Sequence, residues 1–334
     1  MKNILTIDVE DYFMVSGFEK VVGRSDWESF ESRVERNTHK ILDTIDSAAS
    51  RREETEAPAR PIRGTFFCLG WVGRRYPHLI REIHARGHEI ASHSYEHRMI
   101  FSMSPEEFRE DVRKTKAILE DASGREVVGF RAPSYSITEK TLWALEILAE
   151  EGYEYDSSIF PVHHDRYGIP DAPRFPYIVF KAGERNFEFI PLRPEERSMK
   201  GPEKRNGKNS PGLLVRSGLD EAPAGARAMI EFPLSTLRLF GQNLPVAGGG
   251  YFRLLPSFAT QWAAGRISGQ EGLPFIFYLH PWEVDPDQPR VSGLSLLSGF
   301  RHYLNLAKTE GRLRDLLRKF PFFSFRDFLA LHKA

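Results

Sequence analysis

The sequence predicts an α/β fold built on a parallel β-sheet, with an α/β barrel as the favoured architecture. Short apolar runs typical of buried strands alternate with amphipathic segments that have helical spacing. Residues suited to metal binding or acid–base chemistry recur where the apolar runs end, and α/β barrels carry their active sites at that rim. A chain of 334 residues is long enough to bury the core of such a barrel.

Composition narrows the functional classes. Lysine plus arginine equal aspartate plus glutamate at 46 residues each, so no overall charge favours nucleic acid or an anionic membrane as partner. The single cysteine, Cys68, excludes an intrachain disulfide and fits a reducing compartment. The N-terminal apolar run reaches Asp8 too early for a signal peptide, and no run approaches the roughly 20 residues that cross a bilayer. These features predict a soluble, cytoplasmic protein.

The first element is a short strand from Asn3 to Ile7, and it ends in an acidic cluster. The cluster contains Asp8, Glu10 and Asp11. If the strand continues, alternation places Asp8 and Glu10 on the same side of it. Three carboxylates so close together repel one another unless a cation or an arginine lies among them. In isolation, such a cluster is more often a solvated turn.

The next elements continue the alternation. Helical spacing predicts a helix over residues 29–47, and Gly64–Leu69 is predicted as the second strand. A helix from Tyr76 to Arg86 is ended by Gly87, a residue suited to a left-handed C-cap. The third strand, His88–Ala91, then leads to a pair of histidines.

His93 and His97 are the sharpest single signal in the chain. On a helical turn their i, i+4 spacing would place both imidazoles on one face, where they could share a metal ion. Two imidazoles favour zinc or a similar cation over calcium or magnesium. With 11 histidines in the chain a bare pair is weak evidence. It gains weight only from carboxylates contributed by another strand.

The middle of the chain holds the best-marked helix. Ser104 and Glu107 form a capping box around Pro105 at the first helical position. The elements that follow are a strand at Val127–Phe130 ending in Arg131, a helix at Thr138–Glu151, and a short run leading to Asp156.

The C-terminal part is less regular. A polar segment rich in glycine and proline, at about 198–227, is predicted to be a mobile loop. The three glycines Gly248–Gly250 predict a turn where the backbone approaches another strand or a substrate, and no P-loop follows them. Pro274–Leu279 is a strongly apolar strand that ends in His280, and residues 301–318 are predicted to form a final amphipathic helix.

The order of these residues resembles one known family. Acidic residues end the first strand, His-Ser-x-x-His follows a later one, and Arg-x-Pro, Asp-Ser-Ser and Leu-His come after it. This order resembles the polysaccharide deacetylase family, the NodB-homology carbohydrate esterases, and most closely the deacetylases associated with exosortase-linked exopolysaccharide loci. The resemblance runs from Thr6 to about Phe328. The segments that carry it are Asp8–Phe13, Arg131–Ser136, Tyr167–Pro170, Gly248–Arg253 and Tyr278–Glu283.

The resemblance implies a fold and a set of roles. The family fold is a distorted (β/α) barrel, commonly seven-stranded, here expected as one domain over residues 1–334 with a family-specific C-terminal part from about 230. The resemblance implies one divalent metal ion, with zinc favoured. The implied roles are Asp8 as general base, His93 and His97 as metal ligands, Glu10 as third ligand with Asp11 as the open alternative, Arg131 as partner of Asp8, and His280 as general acid.

The chain departs from the family pattern at two points. The usual Arg-x-Pro-Tyr has Ser134 in place of tyrosine, although the family uses the backbone N–H of that residue for the oxyanion. An Asp-Trp pair of many members is replaced by Ile159-Phe160. The partner of His280 is therefore open, with Asp156 as the nearest candidate in sequence.

The function implied by the resemblance is removal of N-acetyl groups from sugars of an exopolysaccharide. Amide hydrolysis needs an activated water, a stabilised oxyanion and a proton for the amine, and the residues above supply these roles. No nucleophile elbow supports a covalent route. Two alternatives stay open at this point: a C–N hydrolase of a small amide or cyclic ureide, and a non-catalytic carbohydrate-binding protein.

Overall fold

A run of parallel strands forms the centre of the molecule. The structure, a computed structural model, describes residues 3–55, 61–164, 167–182, 187–191 and 227–333. The strands are β1 (Asn3–Val9), β2 (Gly64–Cys68), β3 (Glu89–Ser92), β4 (Gly129–Phe130), β5 (Tyr155–Asp156), β6 (Tyr177–Lys181), β7 (Phe187–Pro191), β8 (Ala228–Glu231), β9 (Thr236–Leu239), β10 (Gln242–Pro245), β11 (Ile276–Leu279) and β12 (Phe322–Phe323).

Helices surround these strands. They are α1 (Val34–Thr55), α2 (Gly70–Arg75), α3 (Pro77–Ala85), α4 (Pro105–Ser123), α5 (Trp143–Glu150), α6 (Gly249–Leu254), α7 (Ser257–Gly265), α8 (Leu296–Tyr303), α9 (Leu306–Lys319) and α10 (Phe325–Lys333). Among the described residues, no helix combines the length and the apolar character needed to cross a membrane.

The strand order confirms the predicted α/β fold with a parallel sheet. Within the described residues the order is β11-β1-β2-β3-β4-β5-β8, and each neighbouring pair in this series is parallel. The series holds seven strands, the number that the resemblance implies. Beyond β8 the sheet continues with the antiparallel strands β6 and β7, while β12 pairs with β1.

Isolated contacts connect the two ends of the parallel series. The backbone N–H of Ile276 in β11 donates to Ser235 Oγ at 2.8 Å, and Tyr278 N donates to Ala247 O at 2.8 Å. Gly248 follows with φ at 135°, and a Cβ at this position would lie 1.9 Å from the carbonyl oxygen of Tyr278. Only glycine allows this approach, as the glycine run predicted. The barrel is therefore distorted where β8 faces β11.

Two predicted helices differ from those of the structure. The helix predicted over 29–47 runs from Val34 to Thr55, and it begins there because the carboxylate of Asp11 accepts hydrogen bonds from Arg33 N and Val34 N. The single helix predicted over 301–318 is two helices, α8 and α9, separated at Asn305 with φ at 54°. The capping box of α4 is confirmed, since Ser104 and Glu107 bond to each other's backbone N–H groups. The predicted loop at 198–227 lies almost wholly outside the described residues.

Candidate active site

The candidate site lies where β1, β3, β4 and β11 end at one rim of the sheet. Because these strands are parallel neighbours, their carboxyl ends meet at the same edge. Asp8 and Glu10 come from the end of β1, His93 follows β3, Arg131 follows β4 and His280 follows β11. All except His280 are almost fully buried, and the His280 side chain is 18% exposed.

Glu10, His93 and His97 form a compact cluster, the ligand cluster. Each offers one ligand atom, and these atoms lie within 4.8 Å of one another. His93 Nδ1 lies 2.7 Å from the carbonyl oxygen of Arg131, a contact in which that nitrogen must carry the proton. His93 Nε2 is then left with its lone pair. Burial lowers the pKa of His93 to about 4, which keeps the imidazole neutral and fit to ligate.

The ligand cluster fits a divalent metal ion. His97 Nε2 lies 3.0 Å from Glu10 Oε2, yet that oxygen accepts no well-aligned hydrogen bond from the described residues, and His97 Nδ1 also lacks a partner there. Burial alone would raise the pKa of Glu10, but His97, His280 and His93 lower it to about 2, so the carboxylate is ionised. Two imidazoles and one carboxylate form a donor set suited to zinc.

The histidine pair does not lie on a helical turn, contrary to the geometry considered from its spacing. Residues 93–99 form an irregular loop in which Ser94 and His97 have φ values of 67° and 54°. Asp111 of α4 holds this loop, accepting hydrogen bonds from Ser94 Oγ at 2.8 Å and from Tyr95 N at 3.1 Å. The two imidazoles therefore meet through loop geometry rather than helical periodicity.

Asp11 is separated from the ligand cluster by its hydrogen bonds. Its Oδ2 accepts from Ser32 Oγ, Arg33 N and Val34 N at 2.7–3.0 Å, and its Oδ1 accepts from Tyr12 N. These contacts cap the N-terminus of α1, where a carboxylate is favourable. The strand geometry that places Glu10 at the ligand cluster directs its neighbour toward this helix.

Asp8 and Arg131 form a buried ion pair. Arg131 Nη1 donates to Asp8 Oδ1 at 2.7 Å and to Thr6 Oγ1 at 2.7 Å. Its Nε and Nη2 donate to the carbonyl oxygen and Oγ of Ser157. Burial would lower the pKa of Arg131, but the charge and hydrogen bond of Asp8, together with Tyr135 and Tyr278, outweigh that effect and raise the pKa. A guanidinium held by four hydrogen bonds thus fixes the position of the Asp8 carboxylate.

The structure corrects the partner of His280. Its Nδ1 lies 2.7 Å from Glu283 Oε1, whereas Asp156 makes no ion pair with it among the described residues. Glu283 lies three residues further along in a 3₁₀ turn, Pro281–Val284, and also pairs with Arg253. His280 Nε2 points toward Glu10 Oε1 at 3.5 Å and Asp8 Oδ2 at 3.9 Å.

Trp282 is a site residue that the motif contained but that sequence reasoning did not assign. Its indole N–H donates to Glu10 Oε1 at 3.2 Å, which turns the other carboxylate oxygen toward His97. Its ring stacks on His280 with centroids 5.3 Å apart, and on His302 with centroids 4.2 Å apart. One side chain therefore orients both a ligand carboxylate and the histidine at the end of β11.

Comparison with known proteins finds matches for two segments of the chain. Residues 59–155 match the family model described as polysaccharide deacetylase. The chain therefore contains a polysaccharide deacetylase domain. Residues 218–330 match a second model, a domain of unknown function found in exosortase-associated deacetylases.

Curated members of the polysaccharide deacetylase family share the first of these segments. A peptidoglycan-N-acetylglucosamine deacetylase of Bacillus cereus is 33% identical over 86 residues, which cover 25% of this chain and 31% of the relative. A peptidoglycan deacetylase of Helicobacter pylori is 26% identical over 104 residues, which cover 31% of this chain and 34% of the relative. The matched segments thus span only about a third of these relatives' length.

A solved structure extends the likeness of the fold beyond that segment. A polysaccharide deacetylase structure from Mycobacterium smegmatis aligns with 98% of this chain and 90% of its own, with a TM-score of 0.52 and 14% identity. At this identity the likeness supports the deacetylase fold and no more.

Two further features of the deacetylase rim lie beside Arg131. Asp156 and Glu231 stand opposite each other on β5 and β8 and hydrogen-bond to each other. Burial raises the pKa of both carboxyl groups, so the pair holds a proton that two separate carboxylates would release. Ser158 Oγ links the pair to the backbone by donating to Asp156 Oδ1 at 2.5 Å and accepting from Ala132 N at 2.7 Å.

The second feature is the turn after Arg131. Ser134 and Tyr135 both have positive φ, at 52° and 55°. Because neither residue is a glycine, this conformation costs about 1–3 kcal/mol for each of them. Ser134 Oγ donates to Ser16 Oγ at 2.8 Å. The chain thus has a strained turn at the position where the Arg-x-Pro-Tyr pattern would have tyrosine.

Proposed function

We propose that this protein is a metal-dependent deacetylase that removes N-acetyl groups from sugars of an exopolysaccharide. The observation that carries the proposal is the arrangement of three groups at one rim. The ligand cluster lies beside a carboxylate held by an arginine, Asp8, and an imidazole held by a carboxylate, His280, whose Nε2 is 3.5 Å from Glu10 Oε1 and 3.9 Å from Asp8 Oδ2. Binding a sugar does not require all of these groups, whereas hydrolysing an amide does.

Glu10, His93 and His97 would hold the metal ion. When bound, a zinc-type ion with an open coordination position lowers the pKa of a ligated water and polarises a carbonyl oxygen. Trp282 and the Arg131 carbonyl fix the orientation of Glu10 and His93 before any ion arrives. The pKa of Glu10, lowered to about 2, and the neutral state of His93 leave both groups ready to ligate.

Asp8 acts as the general base. Its Oδ1 is engaged by Arg131, while Oδ2 lies 3.9 Å from His280 Nε2 and faces the ligand cluster. As water adds to the amide carbonyl carbon, Asp8 accepts the proton that the water loses. Arg131 holds the carboxylate in position, and Thr6 and Ser157 support this role by binding the guanidinium.

His280 acts as the general acid. Burial would lower its pKa, but Glu10, Glu283 and Asp8 outweigh that effect and raise it to about 9, so the imidazole is protonated near neutrality. When the carbon–nitrogen bond breaks, His280 Nε2 transfers its proton to the leaving nitrogen, and acetate and a free amine result. The family resemblance assigns the backbone N–H of Ser134 to the developing oxyanion.

The choice of substrate rests on the relatives. The Bacillus cereus relative is named for N-acetylglucosamine in peptidoglycan, and the second matched model occurs in exosortase-associated deacetylases. We place this chain with the second group, because residues 218–330 include the helices that hold the His280 side of the site.

The test combines metal analysis with acetate release. Purified protein should contain one divalent ion per chain and release acetate from N-acetylglucosamine oligosaccharides. Chelation should abolish this release, and Zn²⁺ should restore it. A cyclic ureide serves as the competing substrate. Full activity in metal-free protein, or hydrolysis of the ureide without acetate release, would contradict the proposal.

A further inference from the structure

The C-terminal helices expose an unusual number of large apolar side chains. On α6, α7 and α8 six such side chains are between 51% and 95% exposed, and we call them the apolar surface. Single exposed apolar residues are ordinary, whereas a concentration on neighbouring helices marks an interaction site. The members of the apolar surface are Leu254, Phe258, Trp262, Leu296, Leu297 and Phe300.

Hydrogen bonds join the helices that carry this surface. Arg253 in α6 donates to the carbonyl oxygens of Arg301 and His302, which end α8, and Asn305 Nδ2 donates to Arg253 O. Leu254 follows Arg253 and Phe300 precedes Arg301, so both flank this junction. On α7 the spacing of Phe258 and Trp262 is i, i+4, which places them on one helix face.

The charge around the apolar surface has one sign. Residues 232–270 and 288–309 contain no aspartate or glutamate, although segments of that combined length would hold about eight at the average frequency of this chain. They contain six basic residues, of which Arg253 is buried and paired with Glu283, and Arg266 lies over the Trp262 ring at 5.8 Å. The chain as a whole is neutral, so this is a local separation of charge. The basic residues are Arg238, Arg253, Arg266, Arg290, Arg301 and Lys308.

We propose that the apolar surface docks on a membrane that contains anionic lipids. Tryptophan, phenylalanine and leucine beside arginine, with acidic residues absent, match the acyl–headgroup boundary of such a membrane. Anionic headgroups attract each nearby basic residue by about 1 kcal/mol, and the apolar side chains enter the layer beneath. A second protein would supply apolar contacts as well, but it would not require both long segments to be free of acidic residues.

Docking would bring the catalytic rim close to the bilayer. The end of α8 contributes His302, whose ring stacks on Trp282, and Trp282 in turn stacks on His280. Helix α8 therefore carries part of the apolar surface and also His302, one end of the ring stack that reaches the proposed acid. The inference itself does not depend on the proposed reaction, because it rests on exposed groups that take no part in the chemistry.

The test is co-sedimentation of the full chain with vesicles of phosphatidylcholine, with and without phosphatidylglycerol. We expect binding to the anionic vesicles that weakens as salt is added. The variant Phe258→Ser/Trp262→Ser/Leu297→Ser/Phe300→Ser should bind at least about ten-fold more weakly, since it loses four apolar contacts. Phe101→Ser is the matched control, because Phe101 is 52% exposed but precedes the acidic start of α4. It should bind like the unchanged chain.

Other readouts separate the remaining explanations. The quadruple variant should keep its thermal midpoint and its acetate release from soluble oligosaccharides, because all four side chains are exposed. Absence of vesicle binding would overturn the proposal, as would equal binding to both kinds of vesicle. It would also be overturned if the variant lost self-association or oligosaccharide binding while vesicle binding stayed unchanged.

Discussion

The ligand side and the acid side of the site differ in how completely their polar groups are paired. The ligand cluster, Glu10, His93 and His97, brings together donor atoms that have few partners of their own. The acid side is a completed chain, in which His280 bonds Glu283 and Glu283 pairs with Arg253. A metal site must wait for its ion, so its donors stay unsatisfied, whereas an acid must hold its proton in advance. The folded protein therefore completes the pairing on the acid side and leaves Glu10 Oε2 and His97 Nδ1 without hydrogen bonds from the described residues on the ligand side.

Two buried histidines make the contrast concrete. Burial, together with the neighbouring His97, lowers the pKa of His93 to about 4, although Asp8, Glu10 and the hydrogen bond to the Arg131 carbonyl act in the opposite direction. Burial acts in the same direction on His280, but Glu10, Glu283 and Asp8 reverse it and raise the pKa to about 9. The same side chain thus becomes a ligand in one place and a proton donor in the other, according to the carboxylates around it.

The largest effect is expected from emptying the ligand cluster. His93→Ala and Glu10→Ala should each lose the metal ion, and acetate release should fall by at least about 10³-fold because several kcal/mol of charge stabilisation disappear. Metal content by mass spectrometry and acetate release measure the two effects. Asp11→Ala is the control. It should keep its metal but lose about 1–3 kcal/mol of unfolding free energy, since the cap of α1 is removed. If Asp11→Ala lost the metal ion and Glu10→Ala kept it, Asp11 rather than Glu10 would be the third ligand.

Removing the acid should leave the ligand side intact. His280→Ala should bind metal normally and lose about 10²–10⁴-fold in turnover of an N-acetyl sugar. An activated ester such as a nitrophenyl acetate has a leaving group that needs little protonation, so its hydrolysis should suffer far less. Comparison of the two substrates with one enzyme preparation is the measurement. Equal losses on both would show that His280 positions substrate rather than donating a proton.

The partner of His280 can be tested through the pH profile. Glu283→Gln removes a negative charge from Nδ1, so the neutral imidazole becomes more favourable and the pKa of His280 falls. The acid then loses its proton at lower pH, and the alkaline limb of kcat/KM should move down by about 1–3 pH units. Asp156→Asn, the control for the partner suggested by sequence order, should leave that limb in place. A shift with Asp156→Asn and none with Glu283→Gln would restore the earlier assignment.

The sequence predicted best what depends on short stretches of chain. Alternating apolar and amphipathic segments predicted the parallel sheet, and the Ser104–Glu107 capping box predicted the start of α4. Strand alternation placed Asp8 and Glu10 on one side, and the structure has both facing His280. The family resemblance added the roles and the number of parallel strands.

The contacts between residues far apart in the chain could not be predicted from the sequence. The break at Asn305 arises because Arg253, some fifty residues earlier, binds the carbonyl oxygens at the end of α8. Glu231 was not predicted as a site residue, because only the pairing of β5 with β8 places it opposite Asp156. Glu283 did have a local signal, as it stands three residues after His280 in a Pro-initiated turn. Its neighbour Trp282 shared that signal, but only the folded chain shows that it reaches Glu10.

The smallest effect is expected from the Asp156–Glu231 pair, which belongs to neither side of the site. Burial raises the pKa of Glu231, so the native protein keeps a proton that the unfolded chain releases above the ordinary range of glutamate. Over that window the unfolding free energy should fall by up to about 1.4 kcal/mol for each pH unit.

The variant Glu231→Gln tests this expectation. Its side-chain amide can still accept from Ile159 N and donate to Asp156, but it has no carboxyl proton that titrates. Denaturant titrations at several pH values should therefore give a flatter stability profile and greater stability than the unchanged chain at alkaline pH. Metal content and the alkaline limb of the acetate-release profile should not move, because Glu231 contacts neither the ligand cluster nor His280. Identical stability profiles for the two proteins would mean that no proton is held between these carboxyl groups.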